Sequence, residues 1–160
     1  MPLWLVLLSQ FSILAYAALG GVFLAFSDFL MRALRLTSGA GGAEAMQAIN
    51  REVFRYVFMT LFIGMVPVSL ILAVGGILTA ADPIPFVVAA ALYVIGVFGF
   101  TAARNVPMNN ALAKLDAASP DGQSYWTGTY LPKWTFWNSV RTVACLAAAI
   151  ALLYGIAPSP

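Results

Sequence analysis

The chain contains no histidine and a single cysteine, Cys145, in 160 residues. The first absence removes the commonest metal ligand, general base and axial haem ligand. The second excludes an internal disulfide, a CxxC motif and a thiolate cluster. A transition metal would have to be held by Asp, Glu, Asn or Met alone, without the soft or imidazole donors these ions favour. No metal site and no cofactor are therefore expected. Charge is equally scarce, with 8 basic and 6 acidic residues making 9% of a chain that is 62% hydrophobic. Mean hydropathy is +0.90, and soluble domains carry about 25% charged residues. A chain this poor in charge cannot cover itself with it, and the expected solvent is lipid. A net charge of +2 without a dense basic run leaves nothing for nucleic acid to bind.

What is present is a succession of long apolar runs. One crossing of the hydrocarbon needs about 20 such residues. The first run has no basic start and is too long for a signal peptide, so it is expected to remain as a span. The sequence predicts an all-α, integral membrane four-helix bundle. It forms one domain, 1–160, with spans at about 3–31, 53–78, 84–103 and 136–156 and a longer polar loop between spans three and four. Arg32, Arg35, Arg51 and Arg55 flank the first loop, and Arg104, Lys114, Lys133 and Arg141 the third. That bias predicts cytoplasmic loops one and three, with both termini outside.

Within these runs several features stand out. At 3.6 residues per turn Gln10, Ala17, Gly21, Ala25, Asp28 and Arg32 share one side of span one. The small residues among them predict close packing on a neighbour, which would carry Asp28 inward. Asp28 has two readings: a pair with Arg32 one turn later near the headgroups, or an ionisable site residue. Gly39, Gly41 and Gly42 match no phosphate-loop pattern and read as a loop, followed by a short surface helix over 43–50. Pro67 is expected to kink span two. Gly96, Gly99 and Ala103 offer a close-packing face on span three.

Four crossings bring Asp28, Gln47, Asn50, Arg104, Asn105, Asn109, Trp134, Asn138 and Arg141 to one membrane level. Positive-inside bias accounts for arginines but not for amides. Trp134, Asn138, Arg141 and Cys145 share a face of span four, with Trp137 off it. Trp126 and Trp137 read as an interfacial belt, and Trp134 as belt or pocket. Asn105 and Asn109, around Pro107, read as a capped helix end or as site residues. Arg104 and Arg141 read as snorkelling cations or as site residues.

Four motifs lie in order along most of the chain: Gly21-Val22-Phe23-Leu24-Ala25-Phe26-Ser27-Asp28-Phe29-Leu30-Met31, Ala45-Met46-Gln47-Ala48-Ile49-Asn50, Asn105-Val106-Pro107-Met108-Asn109, and Trp134-x-x-Trp137-Asn138-x-x-Arg141-Thr142. Together they resemble the anthrone oxygenase-like family, small four-span membrane proteins named for fungal members associated with oxidation of anthrones to anthraquinones. The FSDFLM form of the first motif resembles a bacterial branch, which implies the bacterial cytoplasmic membrane. The resemblance implies a cofactor-free oxygenase acting on a lipophilic aromatic, anthrone- or quinone-like.

An anthrone carbanion is electron-rich enough to react with dioxygen directly. A protein would add a base, donors for the enolate oxygen and an aromatic slot. On that scheme Asp28 is the base, Arg104, Arg141 and Asn138 hold the oxyanion, and Trp134 stacks on the ring. Gln47, Asn50, Asn105, Asn109 and Trp137 complete the binding site. The expected partners are membrane lipids, the aromatic ligand, and further copies of this chain or a larger membrane complex. A different class of reading makes the same polar set a structural cluster in a non-enzymatic accessory subunit or hydrophobic-ligand binder.

Overall fold

The structure is a computed structural model, and it describes residues 1–157 apart from Tyr56. Four helices are long and apolar enough to cross a membrane: α1 (Leu3–Arg35), α3 (Val57–Thr79), α4 (Ile84–Ala113) and α5 (Pro120–Ile156). A shorter helix, α2 (Gly41–Glu52), joins α1 to α3. In lipid the backbone has no solvent partner, so uninterrupted helix is the form that satisfies it. Trp4 packs at Gly75 and Phe86 at Gly155, placing the start of α1, the end of α5 and the α3–α4 turn at one end of the bundle. At the other end Gln47 of α2 donates to the carbonyls of Leu112 (2.8 Å) and Leu115 (3.0 Å), closing the last turn of α4.

The spans predicted at 84–103 and 136–156 are both longer in the structure. Helix α4 continues past Pro107 to Ala113, and α5 begins at Pro120, leaving a turn of only 114–119 between them. The Ser119 hydroxyl accepts from the Gly122 N–H at 3.0 Å and Pro120 occupies the first helical turn, a strong start signal. The polar stretch between spans three and four is therefore mostly helix.

Helix α1 turns a different face inward from the one expected. Leu5, Ser9, Ser12, Tyr16, Leu19 and Phe23 are buried, whereas Gln10, Ala17, Gly21 and Asp28 are exposed. The inward stripe is one of hydroxyls and large apolar groups. Ser9 and Ser12 bond back to their own helix, while Tyr16 meets Ser69 of α3 at 2.6 Å. Close approach is made instead at Gly20, where a Cβ would lie 3.1 Å from the Cβ of Cys145. On the far side of α5, a Cβ at Gly96 would lie 2.9 Å from the Cβ of Ala144. Helix α5 is thus held between α1 and α4 through two glycines. Gly20→Leu is expected to destabilise the bundle by about 1–3 kcal/mol through overpacking. Gly21→Leu, with nothing within 4 Å of its Cβ, is expected to leave stability unchanged. Thermal unfolding in detergent reads both.

Pi-helical turns interrupt three of the four long helices, at Phe26–Leu30, Leu92–Gly99, Thr101–Asn105 and Trp126–Tyr130. Their effect is on register. Residues four apart over-rotate by about 40° per step on a regular α-helix, so a row of them drifts off any fixed direction. The wider turns absorb part of that drift. Tyr93, Val97, Thr101, Asn105 and Asn109 consequently stay on the interior side of α4, and Trp126, Tyr130, Trp134 and Asn138 on that of α5. Pro107 and Pro132 each follow such a turn by two residues, where the loosened ladder accommodates the missing N–H.

Candidate functional site

At the α2 end of the bundle the π-helical turns place four polar side chains, Thr101, Asn109, Asn138 and Arg141, around one cavity. Its volume is about 120 Å³, and Phe23, Phe26, Phe58 and Phe62 supply much of its wall. Val22 and Phe54, both exposed, also line it and form its rim. Pockets for a whole drug-sized ligand run from about 300 Å³ upward. A multi-ring ligand would therefore seat its oxygenated ring inside and leave the remainder in the mouth.

Arg141 is the unusual group. It is 5% exposed, and neither of the ion pairs among the described residues, Asp28–Arg32 and Glu52–Arg55, includes it. Its guanidinium donates to Thr101 Oγ1 at 3.1 Å and to Asn138 Oδ1 at 2.6 Å. The rings of Phe23 and Trp134 lie 4.4 Å and 5.4 Å from its central carbon. Such contacts contribute about 0.5–2 kcal/mol each, against several kcal/mol for burying the charge. Nε has no partner at all. The arrangement is a desolvated cation with no counter-charge among the described residues.

The surrounding amides hold this cation in place. Asn138 donates to the Phe23 carbonyl at 2.6 Å and to Ser27 Oγ at 2.7 Å, tying α5 to α1 beside the first π-helical turn. Its two amide hydrogens being spent there, its oxygen faces Arg141, so Asn138 positions the guanidinium. Asn109 Oδ1 accepts from Tyr130 Oη at 2.7 Å and Trp134 Nε1 at 2.8 Å. Asn50 donates to the same Tyr130 hydroxyl at 3.2 Å. Trp126, Tyr130 and Trp134 form a ladder of near-parallel rings, with centroids 5.4 Å and 6.0 Å apart.

Asn50, Asn109, Trp134, Asn138 and Arg141 thus line the cavity as a connected set. The other sequence candidates do not. Asp28 is exposed and pairs with Arg32 at 3.4 Å, the ion pair of its two readings. Arg104 is exposed and lies over Trp137, with 5.0 Å to the ring centroid, and Trp137 packs on Phe100 and Phe136. Gln47 is spent on the end of α4. Asn105 is buried and donates to the Trp134 carbonyl at 3.3 Å, while its Oδ1 is unpartnered. Trp134 already stacks on Tyr130 and meets Phe26 with 5.6 Å between centroids, so it is a wall rather than a free stacking face. Trp126, read as part of a belt, is 4% exposed and belongs to the ladder.

Tyr130, Thr101 and Ser27 are the site-forming residues that sequence reasoning missed. For Tyr130 a signal existed, since it stands four residues before Trp134 and eight before Asn138. It was hidden by starting the helix too late.

Residues 51–151 match the family model described as Anthrone oxygenase. The matched range contains Asn109, Trp134, Asn138 and Arg141, and excludes Asp28. No curated protein and no solved structure matches the chain.

Proposed function

The chain belongs to the anthrone oxygenase family, and from that premise we propose that it oxidises a lipophilic, enolisable aromatic with dioxygen at the Arg141 cavity. The observation that carries this reading is the buried guanidinium without an anion, facing an aromatic-walled space open at Val22 and Phe54. An enolate oxygen supplies the missing charge, and in a water-poor site that attraction favours the ionised substrate over its keto form.

Among the described residues no carboxylate lines the cavity. The substrate proton therefore leaves to water at the membrane surface as the anion settles onto Arg141. The ring carbon opposite the oxyanion then donates electrons to dioxygen, forming a carbon–oxygen bond, and protonation gives a hydroperoxide. Loss of the remaining proton on that carbon breaks the oxygen–oxygen bond and expels water, leaving a second ketone. In sum a CH2 group and O2 become C=O and H2O. Arg141 touches the reacting oxygen. Asn138 and Thr101 position it, and the phenylalanines keep the carbanion away from water.

The test is oxygen uptake by protein in lipid nanodiscs supplied with an anthrone. One mole of oxygen consumed per mole of quinone formed supports the reading. Asp28→Asn, exposed and outside the cavity lining, is expected to retain the rate within about twofold, as for surface changes away from a site. Saturable binding of the aromatic without oxygen uptake would replace the oxygenase with a hydrophobic-ligand carrier using the same cavity.

A further inference from the structure

A second concavity lies on the outer side of the wall that closes the Arg141 cavity. It runs between the last turns of α1 and the first half of α5, has a volume of about 470 Å³, and is lined by Arg32, Arg35, Leu131, Thr135, Phe136 and Ser139 among others. Two guanidinium groups stand at one side of it and apolar side chains at the other. Arg32 shares its charge with Asp28 at 3.4 Å. Arg35 is in neither of the ion pairs found among the described residues. Phe136, 59% exposed, belongs to a helix long and apolar enough to cross a membrane. The groove therefore pairs a cationic side with an apolar one, as a lipid headgroup and its acyl chain require.

We infer that this groove binds an anionic phospholipid, its phosphate between Arg32 and Arg35 and one acyl chain along Leu131 and Phe136. Charge complementarity selects the occupant. A zwitterionic lipid carries its own cation to the same point, and a soluble anion leaves the apolar half of the groove uncovered. All eight basic residues flank loops one and three, and positive-inside orientation puts this end in the leaflet rich in anionic lipid. The groove also communicates with the cavity. Ser139, on the groove wall, lies 3.0 Å from Ser27 Oγ, which accepts from Asn138, which in turn holds Arg141. A lipid bound here clamps α1 to α5 across the contact that positions the guanidinium.

Native mass spectrometry of the detergent-purified protein tests this with phosphatidylglycerol, phosphatidylcholine and inorganic phosphate as probes. Wild type is expected to retain phosphatidylglycerol over phosphatidylcholine. The Arg32→Gln/Arg35→Gln pair is expected to lower that retention roughly thirtyfold, the effect of two basic contacts. Arg51→Gln/Arg55→Gln, at the same end but outside the groove, is the control and is expected to bind as wild type. Both pairs change exposed side chains, and Arg35→Glu gives a charge-reversed variant should the first pair express poorly. Equal retention of the two lipids, equal loss in the control pair, or displacement of the lipid by millimolar phosphate alone would overturn the proposal.

Discussion

Replacing Arg141 by methionine is expected to abolish oxygen uptake, by a factor of about 100 to 1000 in kcat, while the bundle remains folded. The two halves of that expectation have separate causes. Methionine fills similar space and removes a buried cation that has no anion among the described residues. Well-packed apolar replacements of buried charge are often neutral or stabilising. Thr101 loses one donor but keeps its own bond to the Val97 carbonyl at 2.7 Å, and the buried Asn138 Oδ1 loses its donor at a cost of about 1–3 kcal/mol. What goes is the counter-charge for the developing oxyanion, which nothing else lining the cavity supplies. Arg141→Lys keeps the charge but not the planar fork that reaches Thr101 and Asn138 together. It is expected to recover part of the rate. Thermal unfolding run beside the oxygen assay separates the outcomes. A folded methionine variant with undiminished turnover would remove Arg141 from the chemistry.

The all-helical bundle and the gathering of polar groups at one end were readable from apolar length and span parity alone. The faces were not, and α1 shows why. Both sides of a membrane helix are apolar, so no hydrophobic asymmetry tells interior from exterior, and small residues are an uncertain guide to contact. Gly20 packs on Cys145 and its neighbour Gly21 meets nothing; the sequence does not distinguish them. The small-residue stripe that leads to Asp28 faces mostly outward. On α4 and α5 the obstacle was register. A wheel drawn at 3.6 residues per turn spreads Tyr93, Val97, Thr101, Asn105 and Asn109 around the helix, yet π-helical turns gather them. Read at a spacing of four, the same residues form a row, as do Trp126, Tyr130, Trp134 and Asn138. Arg141 was among the candidates from the start, but its lack of a carboxylate partner is a tertiary fact that no spacing contains.

Asn109→Leu is expected to destabilise the protein by about 2–5 kcal/mol, because one oxygen serves two buried donors. Tyr130 is fully buried and Trp134 is 5% exposed, and both donate to Asn109 Oδ1. Leaving a buried donor unsatisfied costs about 1–3 kcal/mol, and leucine strands two. Tyr130→Phe alone removes a donor rather than an acceptor and is expected to be milder, with Asn50 losing its acceptor at the cavity edge. The double variant Asn109→Leu/Tyr130→Phe is then expected to be less destabilised than the sum, by about 1 kcal/mol, since the stranded tyrosine hydroxyl is gone and, of the two donors to Asn109, only Trp134 still lacks an acceptor. Strict additivity in the unfolding free energies would mean that the tyrosine hydroxyl and the amide do not share this bond. The loss also reaches the cation. Trp134 is one of the two rings against Arg141, and an indole no longer held through its Nε1 lets the guanidinium shift. The surviving folded fraction of Asn109→Leu is therefore expected to show a raised KM for the aromatic substrate. A lower population of enzyme with unchanged KM would confine the amide to stability and leave Asn138 and Thr101 as the groups that place Arg141.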